Sequence, residues 1–328
     1  MFIIIHPNFR NGGAERSALN QKPNLILTYG PLVDQIMIAN YPNVIDLRTR
    51  LSVILQLLKL YFQRFSLEVH TNQLSACYFW VFRILPGVQV VHWQRLSLMG
   101  ELFLTRNLIK RLFVKIVFVS APFVAIVRVP SVELVNDYRW YKNKIQISWN
   151  KILDCEWEFL ENLRYVRKRK DIVIISRLAP EKKLLATLEL LDTITNVRLS
   201  LTVVGCVIDN SKYKNLDIDC FELINEKTSL LSLIAEHRFG VLFSYAEGFG
   251  NVLIELIAAG TWPIINQIQW GPTEIINTYK VGTILDWSWE SSEKDILKGM
   301  GELNKTLKSN YDISDEVRRA VYNRHRVI

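Results

Sequence analysis

The feature that most constrains this chain is an alternation. Short apolar runs of strand length keep giving way to segments of helical spacing. In the first half the runs lie at residues 2–7, 24–30, 43–48, 67–72, 88–93 and 115–122. Helical patterns follow most of them, notably at residues 51–65 and 74–85. In the second half the runs lie at 171–178, 198–205, 219–224, 240–245, 263–267 and 281–286, again with helices between. Strand–helix alternation predicts parallel sheets covered on both faces, joined by right-handed crossovers. Two successive sets of about six strands predict an α/β chain of two Rossmann-like domains, residues 1–150 and 151–328, facing a central cleft. Such sheets bind ligands beyond the carboxyl ends of their strands. The join is expected near residues 150–170, where a short polar helix at 156–164 precedes a basic run at 167–170.

Residues 244–265 carry the densest chemistry. A buried strand ends at Tyr245, a loop follows through Glu247, Gly248, Phe249, Gly250 and Asn251, and residues 252–259 show helical spacing. Gly260 ends that helix, and the next strand begins at Pro263. Strand, glycine loop and helix N-terminus together form an anion site, because backbone N–H groups point outward and the helix dipole favours negative charge. Glu247 and Glu255 frame it. A carboxylate cannot hold the anion, but it accepts hydrogen bonds from hydroxyls attached to one. The combination predicts a ligand with both phosphates and hydroxyls.

Composition narrows the setting. Apolar residues make up 49% of the 328, enough for two sizeable cores and too many for disorder. The four cysteines are scattered without metal-ligand spacing, which suggests a reducing compartment. The start lacks the basic region of a signal peptide, and the longest apolar stretch, between Lys115 and Arg128, is too short to span a bilayer. A cytoplasmic protein is therefore expected. The formal charge is +8, yet no nucleic-acid motif accompanies it. Residues 105–115 place Arg106, Lys110 and Arg111 beside Leu108, Ile109, Leu112 and Phe113. That pattern is compatible with peripheral contact on the inner face of a membrane, and also with an ordinary amphipathic helix whose basic face is solvated.

Glu247 and Glu255, with seven residues between them, resemble the E-x7-E motif of retaining GT-B glycosyltransferases, and the whole stretch resembles the corresponding segment of glycosyltransferase family four. Three further stretches extend the likeness. Residues 174–183, Ile-Ile-Ser-Arg-Leu-Ala-Pro-Glu-Lys-Lys, resemble the family's GRLxxEKG, with Lys183 and Ser176 where the family prefers glycine. Gly271-Pro-Thr-Glu274 resembles the GPxE of members that build bacterial surface glycans. The loop holding Gly12 and Gly13 resembles the family's GGAER.

The resemblance implies a GT-B fold and transfer of a sugar from a nucleotide-diphosphate sugar to a hydroxyl, on a glycan or lipid-linked acceptor, with no cofactor and no essential metal. It implies that Arg177 and Lys182 hold the diphosphate, helped by backbone N–H groups around Gly248–Asn251. Glu255 is then expected to bind the ribose, and Glu247 the donor sugar. His92, at the end of a strand, is expected to contact the sugar from the other domain; His70 and His6 are weaker candidates. Val207 replaces a second glycine after Gly205, and Trp262 adds bulk that either shapes donor choice or packs in the core. Asp217 and Asp219 mimic a metal-binding DxD but sit in a strand-like run. The alternatives are an inactive nucleotide-binding scaffold on the same fold, or a GT-B sugar-nucleotide epimerase.

Overall fold

A computed structural model describes residues 1–7, 18–19, 21–30, 41–64, 66–72, 74–94, 96, 98–105, 107–138, 145–149, 154–163, 166–176, 178–194, 198–222, 224, 227–268 and 271–325. The chain divides into two compact units, Met1–Lys151 and Ile152–Arg326. Each is a parallel sheet with its own core.

Unit 1 contains β1 (Phe2–Pro7), β2 (Leu25–Tyr29), β3 (Val44–Asp46), β4 (Leu67–Asn72), β5 (Val88–Trp93), β6 (Ile126–Val129) and β7 (Ile145–Ile147). They pair in the order β3-β2-β1-β4-β5-β6-β7, every pair parallel. The near-continuous apolar strands explain this: Ile3, Ile4, Ile5, Val69 and Val90 are buried, as strands covered on both faces require. Helices α1 (Arg50–Arg64), α2 (Leu98–Leu104) and α3 (Leu108–Val124) and a 3-10 segment (Leu74–Ile84) connect the strands.

One expectation fails here. Residues 115–122, read as a strand, form the second half of α3. Their β-branched content misleads. The inward residues Val114, Val117, Phe118 and Ala121 repeat at three and four, a helical period, and Asn107 caps the helix by accepting a hydrogen bond from Lys110 N–H. The strand of that region is the shorter β6.

Unit 2 contains β8 (Lys170–Ile175), β9 (Leu199–Val204), β10 (Leu216–Phe221), β11 (His237–Leu242), β12 (Trp262–Asn266) and β13 (Thr283–Leu285). Their order is β10-β9-β8-β11-β12-β13, all parallel. Its helices are α4 (Asp154–Leu163), α5 (Leu184–Ile194), α6 (Lys227–Ala235), α7 (Asn251–Ala258), α8 (Gly271–Tyr279), α9 (Glu293–Lys308) and α10 (Asp315–His325). Ile172, Leu188, Val203, Phe239, Ile264 and Trp287 anchor the core. The last helix packs on its own unit: Arg318 donates to Ala258 O at 2.7 Å and Leu160 O at 2.8 Å, and Tyr322 stacks on Trp157.

The strand order reverses between β1 and β4 in unit 1 and between β8 and β11 in unit 2. At such a switch point the connections leave to opposite sides and open a crevice beyond the strand ends.

Candidate active site

The crevice of unit 2 lies beyond the carboxyl ends of β8 and β11, and the chain places its charged motifs there. After β8 comes Ser176, buried, with its N–H on Val204 O at 2.8 Å. A 3-10 turn, Pro180–Lys182, follows. After β11 come Ser244, Tyr245 and Glu247. The two loops are tied by the backbone: Tyr245 N–H donates to Glu181 O at 2.7 Å. That bond brings Lys182, 65 residues earlier in sequence, against Glu247, and their side chains form an ion pair. The side chains are 19% and 13% exposed, so the pair is screened less than a surface pair. Ser244 Oγ donates to the same Glu247 oxygen at 3.4 Å.

α7 opens directly after this loop. Gly250 is its N-cap in a left-handed conformation, φ 81°, which glycine adopts without cost. It offers no side chain to the helix, so no side-chain cap covers the first-turn N–H groups, the arrangement an anion can use. Asn251 and Glu255 are four residues apart on one face of α7, and both are half-buried. Phe249 turns its ring inward, 5.7 Å from His325, so only its backbone is available to a ligand. The N-terminus of α8 presses on this loop from behind: a Cβ on Gly271 would lie 2.3 Å from Phe249 Cα and 2.6 Å from Gly248 O.

The rim is polar and aromatic. Asn266, at the end of β12, donates through Nδ2 to Ser244 O at 3.3 Å. Tyr245 donates to Glu290, which pushes the phenol pKa above its ordinary value. Trp289 donates to Phe243 O at 3.2 Å, and Lys183 lies over its ring at 5.8 Å. Asn266 helps hold the site in shape and carried no signal in the sequence, because it acts through a backbone partner 22 residues away.

Gly12, Gly13, Arg106 and Arg177 fall outside the described residues. Trp262 sits at the amino end of β12, away from the crevice, stacked on Tyr311 at 4.3 Å with its N–H on Thr283; of its two readings, packing is the one the structure gives. Val207 is 70% exposed. Asp217 pairs with Arg198 at 3.0 Å and Asp219 with Lys170 at 2.6 Å, so each acidic residue of the DxD mimic has a cation of its own.

In unit 1 the three histidines lie in the strands and are buried. Trp93 donates to His70 Nδ1 at 2.9 Å, and Glu68 sits 2.7 Å from its other nitrogen. His92 belongs to a hydrogen-bonded chain. Gln94 donates to Leu96 O, so its Oε1 accepts from His92 Nε2 at 3.2 Å. His92 Nδ1 lies 3.0 Å from Thr71 Oγ1, which also reaches Val91 O at 3.4 Å and accepts from Trp80 at 3.1 Å. Both ring nitrogens of His92 are engaged. Near this chain, burial pushes the Glu101 carboxyl up to about 7.

Comparison with known proteins converges on the same picture. Residues 156–308 match the family model of glycosyl transferases group 1. No curated protein matches the chain. Among solved structures it is similar to Alr3699/HepE of Anabaena in complex with UDP and glucose, at 14% identity and a TM-score of 0.70 over 99% of this chain and 95% of that one. It is similar to WaaG, a glycosyltransferase involved in lipopolysaccharide biosynthesis, at 12% identity and 0.60 over 99% and 94%. Sucrose-phosphate synthase from Thermosynechococcus elongatus gives 14% and 0.64 over 99% and 94%. Two doubly wound parallel units with these neighbours define a GT-B fold. The group 1 domain in its second half makes the chain a glycosyltransferase.

Proposed function

We propose that the chain transfers a sugar, with retention, from a nucleotide-diphosphate sugar to a hydroxyl of a glycan or lipid-linked acceptor in bacterial surface glycan assembly. The Lys182–Glu247 ion pair at the switch point carries the reading. A diphosphate entering beside the α7 N-terminus competes with Glu247 for the lysine. Lys182 then offsets charge building on the leaving phosphate. The displaced Glu247 accepts hydrogen bonds from the sugar, and Glu255 those of the ribose. Arg177 enters the proposal as the second cation, forking onto phosphate oxygens. His92 enters as the residue that ties the end of β5 to β4. Support for the donor class comes from the UDP and glucose of the Anabaena neighbour, and for the acceptor class from the lipopolysaccharide role of WaaG.

The test is calorimetric binding of nucleoside diphosphates together with hydrolysis of labelled nucleotide sugars. Glu255→Ala is expected to weaken nucleotide binding about tenfold, and Lys182→Ala to lower turnover on the order of 10²-fold. Because Asp217 and Asp219 are paired to cations, the proposal gives them no metal, and a chelator should leave turnover unchanged. Wild-type behaviour in both variants sinks the reading; nucleotide binding with no turnover on any donor favours the scaffold.

A further inference from the structure

Unit 1 carries a surface that the transfer reaction does not use. A helix that meets only water keeps its outer face polar. α3 does the opposite. Leu108, Ile109, Leu112, Ile116, Val119 and Phe123 are all exposed, Leu108 and Ile109 at 81% and 79%. They form one stripe, opposite the inward residues, along about 25 Å of helix. Lys110, Arg111 and Lys115 are exposed beside it, and residues 108–124 contain no Asp or Glu. The surface continues sideways: Phe113 stacks on Tyr78 at 6.2 Å, and the Arg50 guanidinium lies 4.4 Å from the same ring. Arg50 opens α1, which exposes Leu51, Leu55 and Phe62. The crossovers β3→β4, β4→β5 and β5→β6 run in one direction along the sheet, and the right-handed rule sets all three connecting segments on one face. An apolar patch this extended marks an interaction surface.

Charge selects the occupant. Residues 1–151 carry 18 Lys and Arg against 7 Asp and Glu, a formal +11, while the other 177 residues carry 22 against 25, a formal −3. A second copy on this face would set basic flank against basic flank. A bilayer with anionic headgroups offers an apolar layer to the stripe and negative charge to its flank. Among the described residues no helix is long and apolar enough to cross a membrane, so α3 would lie in the plane of the interface. We infer that the face built by α3 and α1 seats the protein on an anionic lipid surface. That it thereby reaches a lipid-linked acceptor rests on the transferase reading.

Flotation of the full chain with vesicles of phosphatidylcholine alone, or mixed with phosphatidylglycerol, tests it. The chain should float with the mixed vesicles and stay behind with the neutral ones. Leu112→Gln with Ile116→Gln, and separately Arg111→Glu with Lys115→Glu, should each lower vesicle affinity on the order of tenfold or more. Both pairs should keep wild-type circular dichroism and wild-type hydrolysis of a soluble nucleotide sugar. A wild-type chain that ignores anionic vesicles, or a glutamine pair that floats as the wild type does, overturns the inference. So does a dimer abolished by the glutamine pair with no vesicle binding, which would assign the face to self-association. Flotation needs no donor and hydrolysis needs no lipid, so the two readings fail separately.

Discussion

Lys183 shows how a single departure from a family pattern becomes physical. In sequence it stands where the resembling family prefers glycine, and nothing more can be read from it. In the structure it closes the 3-10 turn that carries Lys182, with φ 50° and ψ 27°. That left-handed conformation crowds Cβ against the following carbonyl and costs a side-chain-bearing residue roughly 1–2 kcal/mol. The offset is a cation–π contact with Trp289, worth about 0.5–1 kcal/mol at a site of this exposure. Lys183→Gly removes the strain and the contact together, and glycine gains unfolded-state entropy. The three terms nearly cancel, so the stability read from the denaturant midpoint is expected to stay within about 0.5 kcal/mol of the wild type, with unchanged slope. A midpoint lowered beyond that would mean that the Trp289 contact outweighs the strain. The Lys182–Glu247 pair has the same lesson from the other side. Each residue was legible by its motif. Their contact was not, since a backbone bond between two loops creates it.

At the scale of elements, the sequence showed most strands because parallel strands buried on both faces read as plain apolar runs. The same property made residues 115–122 misleading: a helix exposing an apolar stripe also reads as a plain apolar run, and the alternation that would separate the two is missing. β7 and α2 were not legible at all; three residues and seven residues give too few turns of any period. α8 begins at Gly271, so the Gly-Pro-Thr-Glu motif lies within it. This matters, because the Gly-Pro-Thr-Glu motif is thereby a helix start pressed against the loop of α7. Gly271→Ala would drive a Cβ into the backbone of Phe249 and Gly248, atoms that cannot swing aside as a side chain can. Overpacking of this kind costs about 1–3 kcal/mol. The loop must also move away from the position that the Lys182 pair requires. Nucleoside diphosphate affinity is therefore expected to fall about tenfold or more, beyond any loss of fold seen in the melting curve. A variant that melts early and still holds nucleotide as the wild type does would separate α8 from the site.

For the whole molecule, the formal +8 is an average that conceals a basic first half and a slightly acidic second half. The division of labour should follow the same boundary. The proposed diphosphate site draws on unit 2 alone: the turn after β8, the loop after β11 and the N-terminus of α7. A ligand held there stabilises the state that holds it, by about 2.7 kcal/mol at a hundredfold excess over its dissociation constant. Amides of β8, β11 and β12 that exchange only through opening of their sheet should then exchange about a hundredfold more slowly with a nucleoside diphosphate present. Amides of β1, β4 and β5, which belong to the other sheet and the other core, should keep their rates. Hydrogen exchange read by peptide mass distinguishes the two sets directly. Slowing confined to residues 1–151 would move the nucleotide site out of the second unit, and with it the roles proposed for Lys182, Glu247 and Glu255.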